Sequence, residues 1–378
     1  LLSVPLKKKI IICANSAWNV SNFRKGIILE LIRNDFEVVV VSPRDDCVSK
    51  LCDLGCQYIN IHIDNKGVNP INDLYLIFQY LKIFNKVRPN LILAYTAKPN
   101  IYGAIAAIFF SIPVINNISG LGTAFIKGGL LGKIVSFLYR VGLKRSKCVF
   151  FQNNDDKELF LKKNLVAKSQ ADILPGSGVS LAYFKSKKID VINKDRFVFL
   201  LIARLIWDKG IQEYVDAARL IKKDNSNIRF QILGFLDVDN QTAVLRSDVD
   251  SWVEEGIIEY LNATDDVRPF IEKSDCVVLP SYREGTPKTL LEAGAMGKPI
   301  ITTNVEGCKD VVDDGVNGYL CKVRDYNDLA KKMNNLLALD SKDFERMGLQ
   351  SRKKMELEFD EKIVIAKYIN LVNNTVHH

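Results

Sequence analysis

Histidine is nearly missing from this chain of 378 residues. There are three, and the terminal pair His377 and His378 reads as the remnant of a purification tag, which leaves His62 alone. One histidine argues against a histidine-dependent zinc site or a catalytic triad, both of which need imidazole as ligand or base. A long apolar run is missing too. The longest, Ile101 to Ile115, is broken by Gly103, Ser111 and Pro113, short of the roughly 20 residues that a membrane-spanning helix needs. Leu1 to Lys9 lacks the charged head, apolar core and small-residue cleavage site of a signal peptide. Cys-x2-Cys pairs are likewise absent. The eight cysteines are scattered, and the nearest approach to a cluster, Cys47, Cys52 and Cys56 with His62, does not have zinc-knuckle spacing. Reduced, partly buried thiols in a cytosolic protein are expected, and no metal.

What is present is ordinary in amount and uneven in charge. Apolar residues make up 48% and charged residues 25%, which excludes disorder, collagen and simple coiled coils. The length predicts two or three domains. Residues 1–190 hold 26 Lys and Arg against 13 Asp and Glu, a net of +13, whereas residues 191–378 have a net of −5. A basic half joined to an acidic half points to an anionic partner on one side only: nucleic acid, a membrane surface or a phosphorylated substrate.

Strand-like and helix-like stretches alternate from end to end. Lys9–Ala14, Glu37–Ser42, Tyr58–Ile63, Leu91–Ala94 and Val114–Ile118 read as strands separated by helical stretches. The run Val38 to Val41 suits a strand buried on both faces, as in a parallel sheet. After the loop Pro175–Gly178 and a charged stretch the alternation restarts at Phe197–Ala203. It continues through Arg229–Leu233, Ile257–Leu261, Cys276–Pro280 and Pro299–Thr302, and three helices follow Asp325. The pattern predicts an α/β protein of two Rossmann-like, doubly wound domains, with a boundary near residue 185. Such sheets bind ligands beyond the carboxyl ends of their strands, so the loops Asn15–Asn22, Tyr95–Asn100, Asn117–Lys127, Arg204–Gly210, Gly234–Asp239 and Pro280–Pro287 are the places for a site.

The last of these loops is the most informative. Pro287 suits the start of a helix, Gly285 allows close backbone approach, and the N–H groups at a helix start attract anions. Glu284 in the loop and Glu292 in the following helix line different parts of one extended ligand. Paired carboxylates suit a sugar and a ribose, which present vicinal hydroxyl donors. The E-x7-E spacing within PSYREGTPKTLLEA, the upstream ARLIWDKG (Ala203 to Gly210) and the downstream GKPIITTNVEGCKDVV (Gly297 to Val312) resemble family 4 glycosyltransferases, retaining GT-B enzymes that use nucleotide-sugar donors. The likeness is strong over residues 197–322 and holds in outline for the whole chain.

The resemblance implies roles. Arg204 and Lys209 would clamp the donor diphosphate, and Glu284 would contact the donor sugar. Glu292 would hold the ribose, with Gly285, Thr286, Pro287 and Lys288 at the sugar or phosphate. Asn262 and Gly234 would lie by the nucleotide. Two domains facing across a cleft are implied: residues 1–185 for the acceptor and membrane, and residues 186–360 for the nucleotide sugar. Residues 361–378 would form a helix packing back towards the first domain, with the tag remnant. Many members carry a Gly-Gly loop where this chain has Asn15–Arg24, and a histidine after the fourth strand where it has Thr96 and Lys98. With Gly120 and Gly122, Asn15, Thr96 and Lys98 form the expected acceptor and sugar side. The Gly120–Gly122 segment resembles bacterial transferases of lipid-linked O-antigen or glycan assembly. Asp237–Asp239 and Asp248–Asp250 resemble a metal-binding D-x-D but belong to the wrong architecture, so metal-independent chemistry without a cofactor is expected.

Phe125 to Lys147 places Lys127, Lys133, Arg140, Lys144, Arg145 and Lys147 among Leu, Ile, Phe and Tyr at helical spacing. Such a helix reads either as an interfacial membrane binder or as a sheet-packing helix that is basic outside, and both hold for different faces. The expected function is transfer of a sugar, N-acetylhexosamine before galactose or glucose, from a UDP-sugar to a polyprenyl-diphosphate-linked saccharide. The setting would be the inner face of the cell membrane, as a peripheral protein in surface polysaccharide assembly. The rivals are a GT-B sugar-nucleotide epimerase or other nucleotide-sugar enzyme, and an anionic-polymer-binding protein. Nucleic acid is not expected as a partner, because aromatic platforms and a helix-turn-helix pattern are lacking.

Overall fold

The apolar runs become strands that pair only in parallel. The computed structural model describes residues 7–64, 69–120, 129–186, 196–236, 238, 240 and 242–376. They divide into two units, Leu1–Ser177 with Lys362–His378, and Gly178–Glu361.

The first unit runs β1 (Lys9–Cys13), α1 (Ala17–Phe23), α2 (Lys25–Arg33), β2 (Glu37–Ser42), α3 (Val48–Asp53), β3 (Gln57–Asn60), α4 (Pro70–Val87) and β4 (Leu91–Tyr95). A π-helical turn, Pro99–Gly103, leads into α5 (Ala104–Ile108), then β5 (Val114–Ile118), α6 (Gly129–Leu143), β6 (Cys148–Phe151), α7 (Asn154–Lys162) and β7 (Ala171–Ile173). The strand order is β3-β2-β1-β4-β5-β6-β7. Alternate residues of β1 serve the two faces. Ile10 and Ile12 pack with Ile28, Leu31 and Tyr368 on one side, while Ile11 and Cys13 pack with Leu76, Tyr80 and Ala106 on the other. Both faces are covered, so the strands are apolar throughout.

The second unit runs β8 (Val198–Ile202), α8 (Ile211–Asp224), β9 (Arg229–Leu233), α9 (Arg246–Glu254), β10 (Glu259–Tyr260), α10 (Arg268–Lys273), β11 (Cys276–Leu279) and α11 (Lys288–Ala295). Then come β12 (Ile300–Thr303), β13 (Gly318–Cys321), α12 (Tyr326–Leu337) and α13 (Ser341–Glu358). Its order is β10-β9-β8-β11-β12-β13. Phe199 and Leu201 face a core with Tyr214, Phe230 and Phe344, and Leu200 and Ile202 face one with Leu290, Leu291 and Met355. Burying each such side chain contributes about 1.5–3 kcal/mol.

The chain enters the second unit at Gly178, ahead of the polar break near residue 185, because Val179 already donates its N–H to Phe359 O (2.8 Å) and bridges Asp360. The last helix, α14 (Glu361–Val376), returns to the first unit and buries Val364, Tyr368 and Val372 in its core. The short edge strand β13 was not among the expected strands. Its four residues sit beside a glycine- and aspartate-rich turn and carry little apolar signal.

Candidate functional site

In each sheet the strand order reverses once, between β1 and β4 in the first unit and between β8 and β11 in the second. Ligand crevices form at such switch points. In the second unit the flanking loops are Ala203–Gly210 after β8 and Pro280–Pro287 after β11, the two segments that carry the motif. They are stitched together. Tyr282 N–H donates to Asp208 O (2.9 Å), and Ser281 Oγ donates to the same carbonyl (3.1 Å). Gly210 has φ +73°, and a Cβ there would lie 2.1 Å from Pro280 O. Only glycine allows this approach. Lys209 Nζ forms an ion pair with Glu284 Oε1 across the seam, with both side chains largely buried. Arg204 is exposed and has no carboxylate partner among the described residues.

A third loop supports the second from behind. Glu284 N–H donates to Glu306 O (3.3 Å), Thr303 Oγ1 donates to Ser281 O, and a Cβ on Gly307 would meet Gly285 O at 1.9 Å. Gly285 and Thr286 lie in the turn before Pro287, which is the N-cap of α11. Lys288 opens the helix, and its Nζ is 3.6 Å from Glu292 Oε1, one turn on. Glu292 is only 7% exposed, and burial pushes its carboxyl up to about 7, against the pull of Lys288. Beyond β9, Gly234 brings its backbone against Ala203 O, which a Cβ would approach to 1.7 Å, and its N–H donates to Asn262 O (2.9 Å). Asn262 itself has φ +59°. Arg204, Lys209, Gly234, Asn262, Glu284 and Glu292 thus all belong to the carboxyl edge of one sheet or to the helix that starts there.

One feature of this edge was not expected from the sequence. The Tyr282 hydroxyl donates to Glu213 Oε1 (2.8 Å) on α8, and the Arg324 guanidinium lies 4.5 Å from the Tyr282 ring centre. These contacts orient the residue two before Glu284. No local pattern announces them, because the partners come from distant parts of the chain.

In the first unit the loop after β1 is helical at once. Ser16 caps α1 by accepting from Asn19 N–H (3.1 Å), and Asn15 lies just ahead. Arg24 is buried, stacked 4.0 Å over the Tyr95 ring and donating to Ser177 Oγ (3.4 Å). After β4, Thr96 has φ +66°, a strained conformation for a β-branched residue. Lys98 is paired with Asp73 Oδ1 (2.6 Å), whose other oxygen accepts from the Tyr102 hydroxyl (2.6 Å). Behind this loop Asn100, Asn116 and Asn117 form a buried network. Asn100 Nδ2 donates to Asn117 O (2.8 Å), and Asn117 Nδ2 donates to the Tyr368 hydroxyl (3.0 Å). The signal for it, two asparagines inside the apolar run of β5, is legible in the sequence. Gly120 follows β5 with φ +136°. Gly122 and Lys127 lie outside the described residues.

Lys133, Lys144 and Arg145 are exposed on α6 or just after it. Arg140 is exposed too, but its guanidinium is held in place. Its guanidinium donates to Lys163 O (3.0 Å) and Asn164 O (3.2 Å), closing the C-terminal end of α7. Asp248 and Asp250 lie within α9; Asp237 and Asp239 are outside the described residues. Among the described residues no three His, Cys, Asp or Glu side chains gather closely enough to hold a metal ion, and no helix is long and apolar enough to cross a membrane.

Comparison with known proteins matches this layout in both halves. Residues 183–354 match the model for glycosyl transferases group 1, and residues 9–153 match that for glycosyl transferase 4-like domains. The N,N'-diacetylbacillosaminyl-diphospho-undecaprenol α-1,3-N-acetylgalactosaminyltransferase of Campylobacter jejuni is 28% identical over 379 residues, covering 96% of this chain and 98% of its own. The UDP-Gal:α-D-GlcNAc-diphosphoundecaprenol α-1,3-galactosyltransferase of Escherichia coli is 25% identical, over 82% of each chain. Two solved structures share the fold at 16% identity. A glycosyltransferase from Rickettsia africae has a TM-score of 0.78 over 98% of this chain and 99% of its own. Anabaena HepE with UDP and glucose has 0.79 over 97% and 99%. Two parallel α/β domains, a motif-bearing edge in the second and family matches over both together identify the chain as an enzyme of the glycosyltransferase group 1 family with a 4-like N-terminal domain.

Proposed function

We propose that the enzyme transfers an N-acetylhexosamine, with retention, from a UDP-sugar to a polyprenyl-diphosphate-linked saccharide, without a metal, while attached peripherally to an anionic membrane. The observation that carries the donor half is the Lys209–Glu284 pair beside the exposed Arg204, at the switch point of the second unit. Two cations at that edge supply the counter-charge for a departing diphosphate, which a metal provides in other architectures. Glu284 accepts from sugar hydroxyls, and Glu292, one helix turn and more beyond, accepts from the ribose. The bond from the anomeric carbon to the diphosphate oxygen breaks as the acceptor oxygen bonds on the same face. The acceptor proton passes to the departing phosphate.

The acceptor half rests on the C. jejuni relative, which matches end to end and is named for transfer to a diphospho-undecaprenol-linked saccharide. The E. coli relative is named for the same type of carrier, with galactose as its sugar. The test is a screen of UDP- and GDP-sugars with a short polyprenyl-diphosphate saccharide, reading nucleotide release and product anomer. UDP release with an N-acetylhexosamine and an α-linked product is expected. Release confined to GDP-sugars, or an inverted product, would overturn it. For the membrane, Lys133, Lys144 and Arg145 replaced by Glu should bind anionic liposomes more weakly than wild type at low salt, since each cation contributes about 1 kcal/mol near such a surface.

A further inference from the structure

Helix α4 covers part of one face of the first sheet, yet its outer face is apolar. Leu76, Tyr80 and Phe84 are buried against the sheet. On the opposite side, Ile71, Leu74, Tyr75 and Phe78 are each between 50% and 74% exposed. Their spacing of three and four residues places them on one stripe. Further along the same stripe come Lys82 and Lys86, with Lys82 Nζ 4.4 Å from the Phe78 ring centre. The outer face is therefore apolar over its first two turns and cationic over its last two.

One neighbour, α6, repeats the arrangement. α4 packs on α5, and α5 packs on α6, so the three form one layer on one face of the first sheet. α6 exposes Leu130, Ile134 and Phe137 in its first turns, with cations further along. Helices in such a unit run opposite to the strands, so the apolar ends of α4 and α6 both lie towards the carboxyl edge of the sheet. A monomeric surface seldom gathers so many large apolar side chains without a partner. The charge states which partner fits. Between Asp73 and Asp155 the sequence has no Asp or Glu and ten Lys or Arg. An apolar patch with cations further along the same helices complements an anionic bilayer, with hydrocarbon below and phosphate at the rim.

We propose that the apolar face of α4, Ile71 to Phe78, inserts into the bilayer beside α6 and supplies the salt-resistant part of membrane attachment. The inference rests on the membrane-attached reading above and adds a hydrophobic element to its electrostatic one. It also links the membrane to the expected acceptor side. Asp73, in the first turn of α4, holds Lys98 and Tyr102 through its two oxygens. An inserted α4 therefore keeps the Thr96–Lys98 loop at the bilayer surface, where a lipid-linked acceptor resides.

The test is co-sedimentation of the full chain with vesicles of phosphatidylglycerol and phosphatidylcholine, at low and high salt, without donor or acceptor. Its result is thus independent of the sugar transferred. Both Leu74 and Phe78 are exposed, so L74Q/F78Q should fold, which circular dichroism checks. Wild type should stay on vesicles at high salt, and the double variant should partition about tenfold less there. In F78W, the emission of the added tryptophan should shift to the blue on vesicles. Partition of L74Q/F78Q equal to wild type at both salt concentrations would overturn the proposal, as would an unshifted F78W emission. Self-association of wild type that L74Q/F78Q abolishes would overturn it too, since a second copy would then cover the face.

Discussion

Lys209 and Glu284 are 75 positions apart in sequence and meet as an ion pair between the loops that follow β8 and β11. The pair joins the cation of one motif block to the first glutamate of another. Each residue holds the other in place at the switch point, before any ligand arrives. Arg204, five residues upstream, has no such tie among the described residues.

That difference predicts two separable phenotypes. Arg204→Ala should reduce turnover by about 2–4 kcal/mol of transition-state stabilisation, the scale of one lost preorganised charge partner, with an unchanged melting temperature. Lys209→Ala should lose turnover and also about 1–3 kcal/mol of stability, because Glu284 is left largely buried without its partner. Kinetics and thermal melts on both variants check this. Full turnover in folded Arg204→Ala would remove it from the diphosphate site.

Glu292 predicts a pH dependence of stability. Its folded carboxyl titrates at about 7, against about 4.3 when unfolded. Between these values the folded chain holds a proton that the unfolded chain has lost. Stability is therefore fully present below about pH 4.3 and is lost as pH rises from there through about 7, by roughly 4 kcal/mol in total from this group. Glu292→Gln should flatten that part of the curve in urea melts.

The two glutamates should also separate in binding. Glu292→Gln should weaken UDP itself, whereas Glu284→Gln should keep UDP affinity and lose transfer. UDP affinity of wild type relative to Glu292→Gln should rise through pH 7 as the carboxylate forms, since the ionised group accepts more strongly from the ribose hydroxyls. Calorimetric titration of both variants decides, and the opposite pattern would exchange the two roles.

Gly210→Ala should damage the site from behind. A Cβ there would lie 2.1 Å from Pro280 O, and the φ of +73° is strained for alanine. The strain alone costs about 1–3 kcal/mol, and relief of the clash must part the two loops. A lowered melting temperature with loss of transfer is expected. Normal turnover would mean the loops move apart without consequence.

Transfer should persist in excess chelator, with Arg204 and Lys209 supplying the charge. Loss of activity that Mn²⁺ or Mg²⁺ restores would contradict this and return attention to Asp237 and Asp239.

Much of this was legible in the residue order, for a local reason. Runs such as Val38 to Val41 can only be strands buried on both faces, and their alternation with helices leads to parallel sheets with ligands at one edge. Loop chemistry and spacing were enough to single out Glu284 and Glu292, and the resemblance of the motif blocks to family 4 glycosyltransferases added Arg204 and Lys209. What they touch was not legible, because a partner 75 positions away leaves no periodic trace. Only the folded sheet pairs Lys209 with Glu284, buries Glu292, and turns Lys98 onto Asp73 and Arg140 onto the end of α7. Helix α4 shows the limit most plainly. It is apolar nearly all round, so its sequence does not say which side is buried. Packing against the sheet takes Leu76, Tyr80 and Phe84, and by that choice leaves Leu74 and Phe78 outside.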